Sequence, residues 1–208
     1  MNLLPITVKP ENVLVTKCRD IVYKHRLGYI TIPERTKIKV IDFGGATYDD
    51  DKKSSVINTR QYRAPEVILG TGWSMPSDLW SVGCILAELY LGELLFQTHN
   101  DIEHLALMEI TVGRFPEQWL RRAQEQQPKS SLANRVFDSR GRHRMGQVMP
   151  LDDASFIEDY PNLEGLVRYE QDAWFLKLLR RLLVIDPEER ATARDAHRST
   201  AWNRRLYN

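Results

Sequence analysis

The chain has 208 residues, 42% hydrophobic and 27% charged, with a formal net charge of +1. These values exclude a collagen-like or low-complexity chain, and the length allows one large domain or two small ones with a real core. A balance this close to zero gives no whole-chain electrostatic argument for nucleic acid or a membrane surface.

Cys18 and Cys84 are too few for a disulfide framework and lack zinc-ligand spacing, so both read as free thiols of a reducing compartment. The N-terminal residues Met1-Asn2-Leu3-Leu4-Pro5 have neither the charged start nor the apolar run of a secretory signal. The longest apolar stretch, 79–96, contains Glu88 and Glu93. An ionised carboxylate at bilayer depth costs about 2.5–3.5 kcal/mol, so a buried helix is expected there and no membrane partner. The five histidines (His25, His99, His104, His143, His197) have no metal-ligand spacing, and His104 and Met108 read as packing residues.

In chain order, Val13–Val15 is the first short apolar strand. A polar stretch over 16–37 follows, with a small strand at 29–32. Residues 38–41 form a β-branched strand that runs into Asp42-Phe43-Gly44-Gly45, where two glycines mark a turn. Residues 46–75 read as loop. Beyond them Leu79, Val82, Ile85, Leu86, Leu89 and Tyr90 recur at helical spacing, and Gly92 is a natural stop. Trp80, Ala87 and Leu91 fill other faces, so this helix is expected to be apolar nearly all round and central. Asp101 is positioned to cap a second helix over 102–112.

Residues 114–147 then hold eight Lys or Arg against three Asp or Glu, and residues 148–172 hold one against seven. The +1 total is therefore a cancellation. Two solvated surfaces that attract one another are expected, rather than a nucleic-acid site, because aromatic residues are not interleaved with the charges. A strong helix over 172–185 is followed by Pro187, which discourages continuation. Thr192-Ala193-Arg194-Asp195 is a capping pattern for a last short helix.

The chemistry begins at Asp42-Phe43-Gly44. A carboxylate at the end of a strand is a hard oxygen ligand suited to Mg²⁺, which usually arrives with a nucleotide phosphate. Upstream, Lys9-Pro10-Glu11-Asn12 offers a point charge for phosphate and a carbonyl oxygen for a second cation. Downstream stands Tyr62-Arg63-Ala64-Pro65-Glu66. Lys-x-x-Asn, Asp-Phe-Gly and Ala-Pro-Glu in that order match the second half of the protein-kinase signature set, and three ordered matches are far more specific than one.

Further segments carry the resemblance. Ser77-Asp78-Leu79-Trp80-Ser81-Val82-Gly83 resembles the start of the central helix of the kinase C-terminal lobe, and Asp186-Pro187-Glu188-Glu189-Arg190 resembles that family's Asp-Pro-x-x-Arg element. Glu103-His104-Leu105-Ala106-Leu107-Met108-Glu109 is similar to the signature helix of the LAMMER, or CDC-like, kinases of the CMGC group, with Leu107 in place of Met and Ile110 in place of Arg. Residues 42–50, 59–69 and Phe96-Gln97-Thr98-His99 are similar to the same family. The resemblance runs from about residue 8 to about residue 202.

It implies a mainly α fold: a protein-kinase-like C-terminal lobe, a helical bundle with a few short strands, with the N-terminal lobe absent. One kinase domain over 1–208 would comprise a catalytic-loop remnant at 5–12, an activation segment at 42–66 and an insert at about 114–171. It implies that Lys9 neutralises charge on the transferred phosphoryl group and that Asn12 and Asp42 hold Mg²⁺ with ATP. By the same resemblance Arg63 lies in the segment that receives the substrate, Glu66 pairs with Arg190 in a buried ion pair, and Asp78 accepts hydrogen bonds from the catalytic-loop backbone. Thr59 and Tyr62 are candidate phosphorylation sites.

The implied partners are protein substrates, including Arg/Ser-rich nuclear proteins, in the nucleus or cytoplasm, with no direct nucleic-acid partner. The catalytic aspartate position is occupied by Thr7, and the preceding family histidine by Pro5. Gly70-Thr71-Gly72 is followed by Met75 where a phosphate loop needs its third glycine, and neither the strand lysine nor its helix glutamate is found. The expectation is an ATP-dependent serine/threonine or dual-specificity protein kinase by family, inactive as this chain stands. The alternative is a non-catalytic, pseudokinase-like lobe that binds proteins.

Overall fold

The computed structural model describes residues 3–4, 8–16, 19–25, 28–33, 37–48, 57–138, 140–144, 157 and 159–198. Three two-stranded antiparallel sheets precede a helical body. Strands β1 (Leu3–Leu4) and β6 (Thr47–Tyr48) pair, as do β2 (Val13–Val15) and β5 (Ile38–Val40), and β3 (Asp20–His25) and β4 (Gly28–Pro33). The polar stretch after β2 thus holds a six-residue strand that its alternation did not reveal, and its partner is longer than the four residues expected.

The segment expected to be loop contains β6, a 3₁₀ turn (Arg60–Tyr62) and helix α1 (Pro65–Leu69). Pro65 at the first helical position and Gly70 at φ 68 bracket α1, so its boundaries follow from proline's fixed φ and glycine's tolerance of the left-handed region.

Helix α2 (Met75–Leu91) forms the centre of the body and ends at Gly92, whose φ is 80 and whose N–H donates to the Glu88 carbonyl at 2.8 Å. Its buried face differs from the expected stripe. Ser77, Asp78, Trp80, Ser81, Gly83, Cys84, Ile85 and Ala87 are buried, whereas Leu89 is 72% exposed. Small and polar residues line the buried side because other parts of the chain approach it closely: Ser77 meets the Glu66 carboxylate, Ser81 the Tyr62 carbonyl and Gly83 the Leu182 and Leu183 side chains. A Cβ on Gly83 would lie 2.8 Å from Leu183 Cδ2 and 3.2 Å from Leu182 Cβ. Gly83→Ala is therefore expected to cost about 1–3 kcal/mol through overpacking. Urea unfolding checks this, and an unchanged midpoint would mean that Leu183 swings aside.

Asp101, expected as a cap, is instead the first residue of α3 (Asp101–Val112). The cap is Asn100, whose Oδ1 accepts from Glu103 N at 2.9 Å, while Glu103 Oε2 accepts from His99 N at 2.7 Å. This reciprocal arrangement is a capping box shifted by one residue.

The charged insert folds into α4 (Glu117–Glu125), α5 (Leu132–Val136) and α6 (Leu163–Leu166). Its described charges do not form the expected contact between the two blocks. Arg122 lies 3.8 Å from Asp186 and 3.7 Å from Glu188, and Glu164 pairs with Arg180 of α7 (Ala173–Leu182). Much of the acidic block, 148–156, lies outside the described residues.

The helix expected over 172–185 is shorter. A 3₁₀ turn (Glu170–Asp172) leads into α7, and the chain leaves the helix five residues before Pro187. Helix α8 (Ala193–Arg198) starts at the Thr192/Asp195 pattern, where Asp195 Oδ2 accepts from Thr192 N at 3.1 Å and Thr192 Oγ1 accepts from Asp195 N at 3.2 Å.

The core is aromatic and aliphatic. Trp80 and Phe96 stack with centroids 6.1 Å apart, Phe96 lies 5.1 Å from His104, and Phe115 lies 4.8 Å from Phe137. Leu105, Leu107, Met108 and Leu120 are fully buried around them. Burial pushes the Cys84 thiol well up, which keeps it protonated and inert. Cys18 lies outside the described residues. No helix among the described residues is long and apolar enough to cross a membrane.

Candidate active site

The β2–β5 register creates the first half of the site. Val13 pairs with Val40, and the ladder continues as Ile41 N donates to the Asn12 carbonyl at 2.9 Å. The ends of the two strands therefore meet. Asn12 Nδ2 lies 3.4 Å from Asp42 Oδ2, across 30 residues of sequence. Asn12 is buried in a 3₁₀ turn (Pro10–Asn12) that Pro10 starts and the Lys9 carbonyl closes, accepting from Asn12 N at 2.9 Å. Lys9 itself is half-buried at the head of that turn.

Asp42 sits at φ 63, a left-handed conformation in which aspartate is several-fold enriched among non-glycine residues. Its carboxylate faces solvent beside the Gly44–Gly45 turn. Two hard-oxygen side chains side by side, with open solvent on one flank, fit Mg²⁺. This ion uses one or two protein carboxylates and completes its octahedron with water and phosphate. Among the described residues no cluster of three or more His, Cys, Asp or Glu offers an all-protein metal cage. Thr7 and Pro5 lie outside the described residues.

The second half is the segment from Ile57 to Leu69. Arg63 donates from Nε to the Ile57 carbonyl at 3.1 Å and from Nη2 to the Asn58 carbonyl at 3.2 Å. Its Nη1 lies 3.6 Å from Asp101, which also pairs with Arg60. Burial pulls the Arg63 guanidinium below its ordinary value, and Asp101 opposes that shift. Tyr62 is buried and donates its hydroxyl to Glu88 Oε2 at 2.7 Å; burial first, and Glu88 second, hold the phenol well above its usual range. Thr59 is exposed.

Beneath this segment Glu66 and Arg190 form a bidentate pair, 2.7 and 2.9 Å, with side chains 1% and 0% exposed. Ser77 Oγ donates to Glu66 Oε1 at 2.7 Å, and the guanidinium lies 5.2 Å over the Trp80 ring. Asp78 is buried in the first turn of α2, and burial pushes its carboxyl up to about 7. The catalytic-loop residues 5–7 expected above it lie outside the described residues.

Sequence reasoning gave Asn58 and Ser81 no role of their own and read Asp101 only as a helix cap. Asn58 carried a usable signal, since asparagine is among the few residues that tolerate positive φ. The ion pairs of Asp101 carried none, because they reach back to Arg60, 41 residues away, and to Arg63.

A family model described as the protein kinase domain matches residues 6–201. The chain belongs to the protein kinase family. Its curated relatives place it in the LAMMER-type branch of the CMGC group. It is 37% identical to the serine/threonine-protein kinase AFC2 of Arabidopsis thaliana over 99% of this chain and 49% of that protein. It is 40% identical to the dual specificity protein kinase lkh1 of Schizosaccharomyces pombe over 94% of this chain and 28% of that one. The human dual specificity protein kinase CLK4 is also 40% identical, over 91% of this chain and 38% of its own length. The chain thus spans about half or less of the length of these relatives. A kinase domain solved by crystallography superposes with a TM-score of 0.82 at 33% identity, covering 96% of this chain and 59% of that one. The protein kinase fold assigned from the motifs is therefore the fold of this chain.

Proposed function

We propose that the chain is the substrate-side, C-terminal lobe of a LAMMER-type kinase whose reaction moves the γ-phosphoryl group of ATP to serine, threonine and, in dual-specificity action, tyrosine hydroxyls of proteins. The observation that carries this reading is the meeting of Asn12 and Asp42 at the end of the β2–β5 hairpin. Asp42 and Asn12 would hold Mg²⁺, and Lys9 would place its charge against the phosphoryl group. Bound Mg²⁺–ATP supplies the phosphoryl group and neutralises its negative charge. Arg63 fixes the segment that receives the peptide, Glu66 and Arg190 anchor that segment to the body, and Asp78 braces the catalytic loop. Positioning and charge neutralisation carry most of phosphoryl-transfer catalysis, so a lobe that supplies fixed charges and a fixed platform supplies much of the machinery.

Two sequence features argue that these 208 residues turn over slowly or not at all. Thr7 cannot accept the substrate proton at neutral pH as a carboxylate would, and the Gly-rich loop, the strand lysine and its glutamate are not among these residues. With Mg²⁺–ATP and an Arg/Ser peptide, the purified chain is expected to incorporate no more phosphate than its Asp42→Ala variant. Asp42-dependent incorporation would overturn that inactivity. A chimera carrying the upstream half of the human relative and Thr7→Asp is expected to phosphorylate the peptide; a silent chimera would sink the kinase-lobe reading itself. Thr7 favours one second reading, a lobe that binds protein substrates, Arg/Ser-rich nuclear proteins among them, without turning them over in nucleus or cytoplasm. Peptide binding without turnover by a chimera that keeps Thr7 would select it.

A further inference from the structure

Within the segment that receives the substrate, Asn58 is held in an unusual way. Its backbone is left-handed at φ 61, one of two non-glycine residues with positive φ among those described. Its carbonyl accepts from Arg63 Nη2 at 3.2 Å, so the main chain is gripped from one side. Its side chain is gripped from the other, because Asn58 Nδ2 donates to Ser81 Oγ at 3.0 Å. Ser81 is fully buried on α2, and its own hydroxyl donates to the Tyr62 carbonyl at 2.8 Å.

The direction of these bonds is fixed by counting protons. Serine has one donor proton, and the short contact to the Tyr62 carbonyl takes it. The Ser77 carbonyl, at 3.4 Å, is the weaker claimant, and with the proton committed to a carbonyl the lone pairs of the oxygen can only accept, so the amide nitrogen of Asn58, not its oxygen, must face Ser81. One hydroxyl thus joins both ends of the 58–62 turn to the rigid central helix. The strained residue stays in place because the surrounding structure over-determines it.

We propose that Asn58, acting through Ser81, is a positioning residue for peptide substrate: the amide–hydroxyl tether holds the 57–63 platform in the shape that receives the acceptor peptide. This inference rests on the kinase-lobe reading above. Asn58 suits the task because it combines tolerance of positive φ with a side-chain donor. Glycine offers the first without the second, which makes Asn58→Gly a clean probe that leaves the backbone unstrained.

The test uses the full chain, with Asn58→Gly, Ser81→Ala and the double variant, read by amide hydrogen exchange and by binding of an Arg/Ser peptide. Loss of one neutral hydrogen bond corresponds to on the order of three- to tenfold in an equilibrium. Asn58→Gly is expected to speed exchange across 57–63, with the rest of the chain unmoved, and to weaken peptide binding by about that factor at an unchanged melting temperature. Ser81→Ala is expected to weaken binding more, because the Tyr62 carbonyl also loses its donor. The double variant should match Ser81→Ala, since the tether is already gone. Unchanged exchange over 57–63 in Asn58→Gly, or additive effects in the double variant, would overturn the proposal. Absence of peptide binding by the unmutated chain would instead count against the parent reading, and the exchange data would still decide whether the tether holds the platform.

Discussion

Replacing Glu66 by alanine is expected to cost the fold about 3–5 kcal/mol, the penalty for leaving a buried charge unpaired. The size follows from how completely Arg190 is committed. Its Nε donates to the Val184 carbonyl at 2.8 Å, Nη1 to Glu66 and the Pro76 carbonyl, and Nη2 to Glu66 and the Ile185 carbonyl. All five donors are used, and the residue is 4% exposed. Water cannot replace the carboxylate, so the guanidinium would keep its charge in a medium that does not solvate it. Against a total stability of about 5–15 kcal/mol, this removes a large fraction.

Urea unfolding should show the midpoint falling at constant slope. Glu66→Gln keeps the side-chain shape and one accepting oxygen, but loses the charge and sets an NH2 donor against the guanidinium, so it should fall between. Glu66→Leu with Arg190→Met removes both charges together and should recover part of the loss, though not all, because three carbonyls lose a donor. A Glu66→Ala variant within about 1 kcal/mol of the unmutated chain would contradict the buried-charge argument.

The same pair shows what could be read from the sequence. Glu66 and Arg190 are 124 residues apart, and no local pattern links them. Only the resemblance placed them together, because it supplied long-range contacts that periodicity does not encode. Asn12 and Asp42 were legible in the same way, while the physical reason for their meeting, the antiparallel register of β2 and β5, is visible only in the fold.

Where the resemblance was silent, local rules had to decide, and two of them misled. Apolar periodicity chose the Leu79–Leu89 side of α2, but the buried side is the one whose small residues let the Leu182 and Leu183 side chains approach. A carboxylate before an apolar run suggested Asp101 as the cap, while the better-shaped residue was Asn100, one position earlier, with Glu103 three residues beyond it to close the box. The insert helices were missed because its charges dominate the pattern. Trp119, Leu120, Ala133 and Val136 nevertheless supply the short buried faces that fold it.

His104 and Asp78 should give the chain opposing pH dependences that a single substitution separates. Both ring nitrogens of His104 are buried without a partner among the described residues. Burial, and then the positive charges of Arg63 and Arg60, push the imidazole down to about 3 from its ordinary 6.5. Between those values the unfolded chain holds a proton that the folded chain refuses. The His104 contribution is therefore fully present above pH 6.5 and is lost as pH falls toward 3. Asp78 has the opposite sign. Burial raises its carboxyl from 3.8 to about 7, so the folded chain holds the extra proton in that window, and stability declines as pH rises through it. From pH 3.8 to 6.5 the two slopes offset one another.

His104→Leu removes one slope and two unpaired polar atoms, and leucine fills a similar volume between Phe96 and the α3 core. This variant is expected to gain stability on acidification from pH 7 to 4, relative to the unmutated chain, by an amount on the order of a few kcal/mol, as shifts of this size imply. Asp78→Asn should do the reverse and lose stability over the same range. Urea midpoints measured at intervals from pH 4 to 8 decide the matter. Parallel profiles for His104→Leu and the unmutated chain would mean that the buried imidazole finds a donor or a water on protonation, and the opposition between the two buried groups would fall with it.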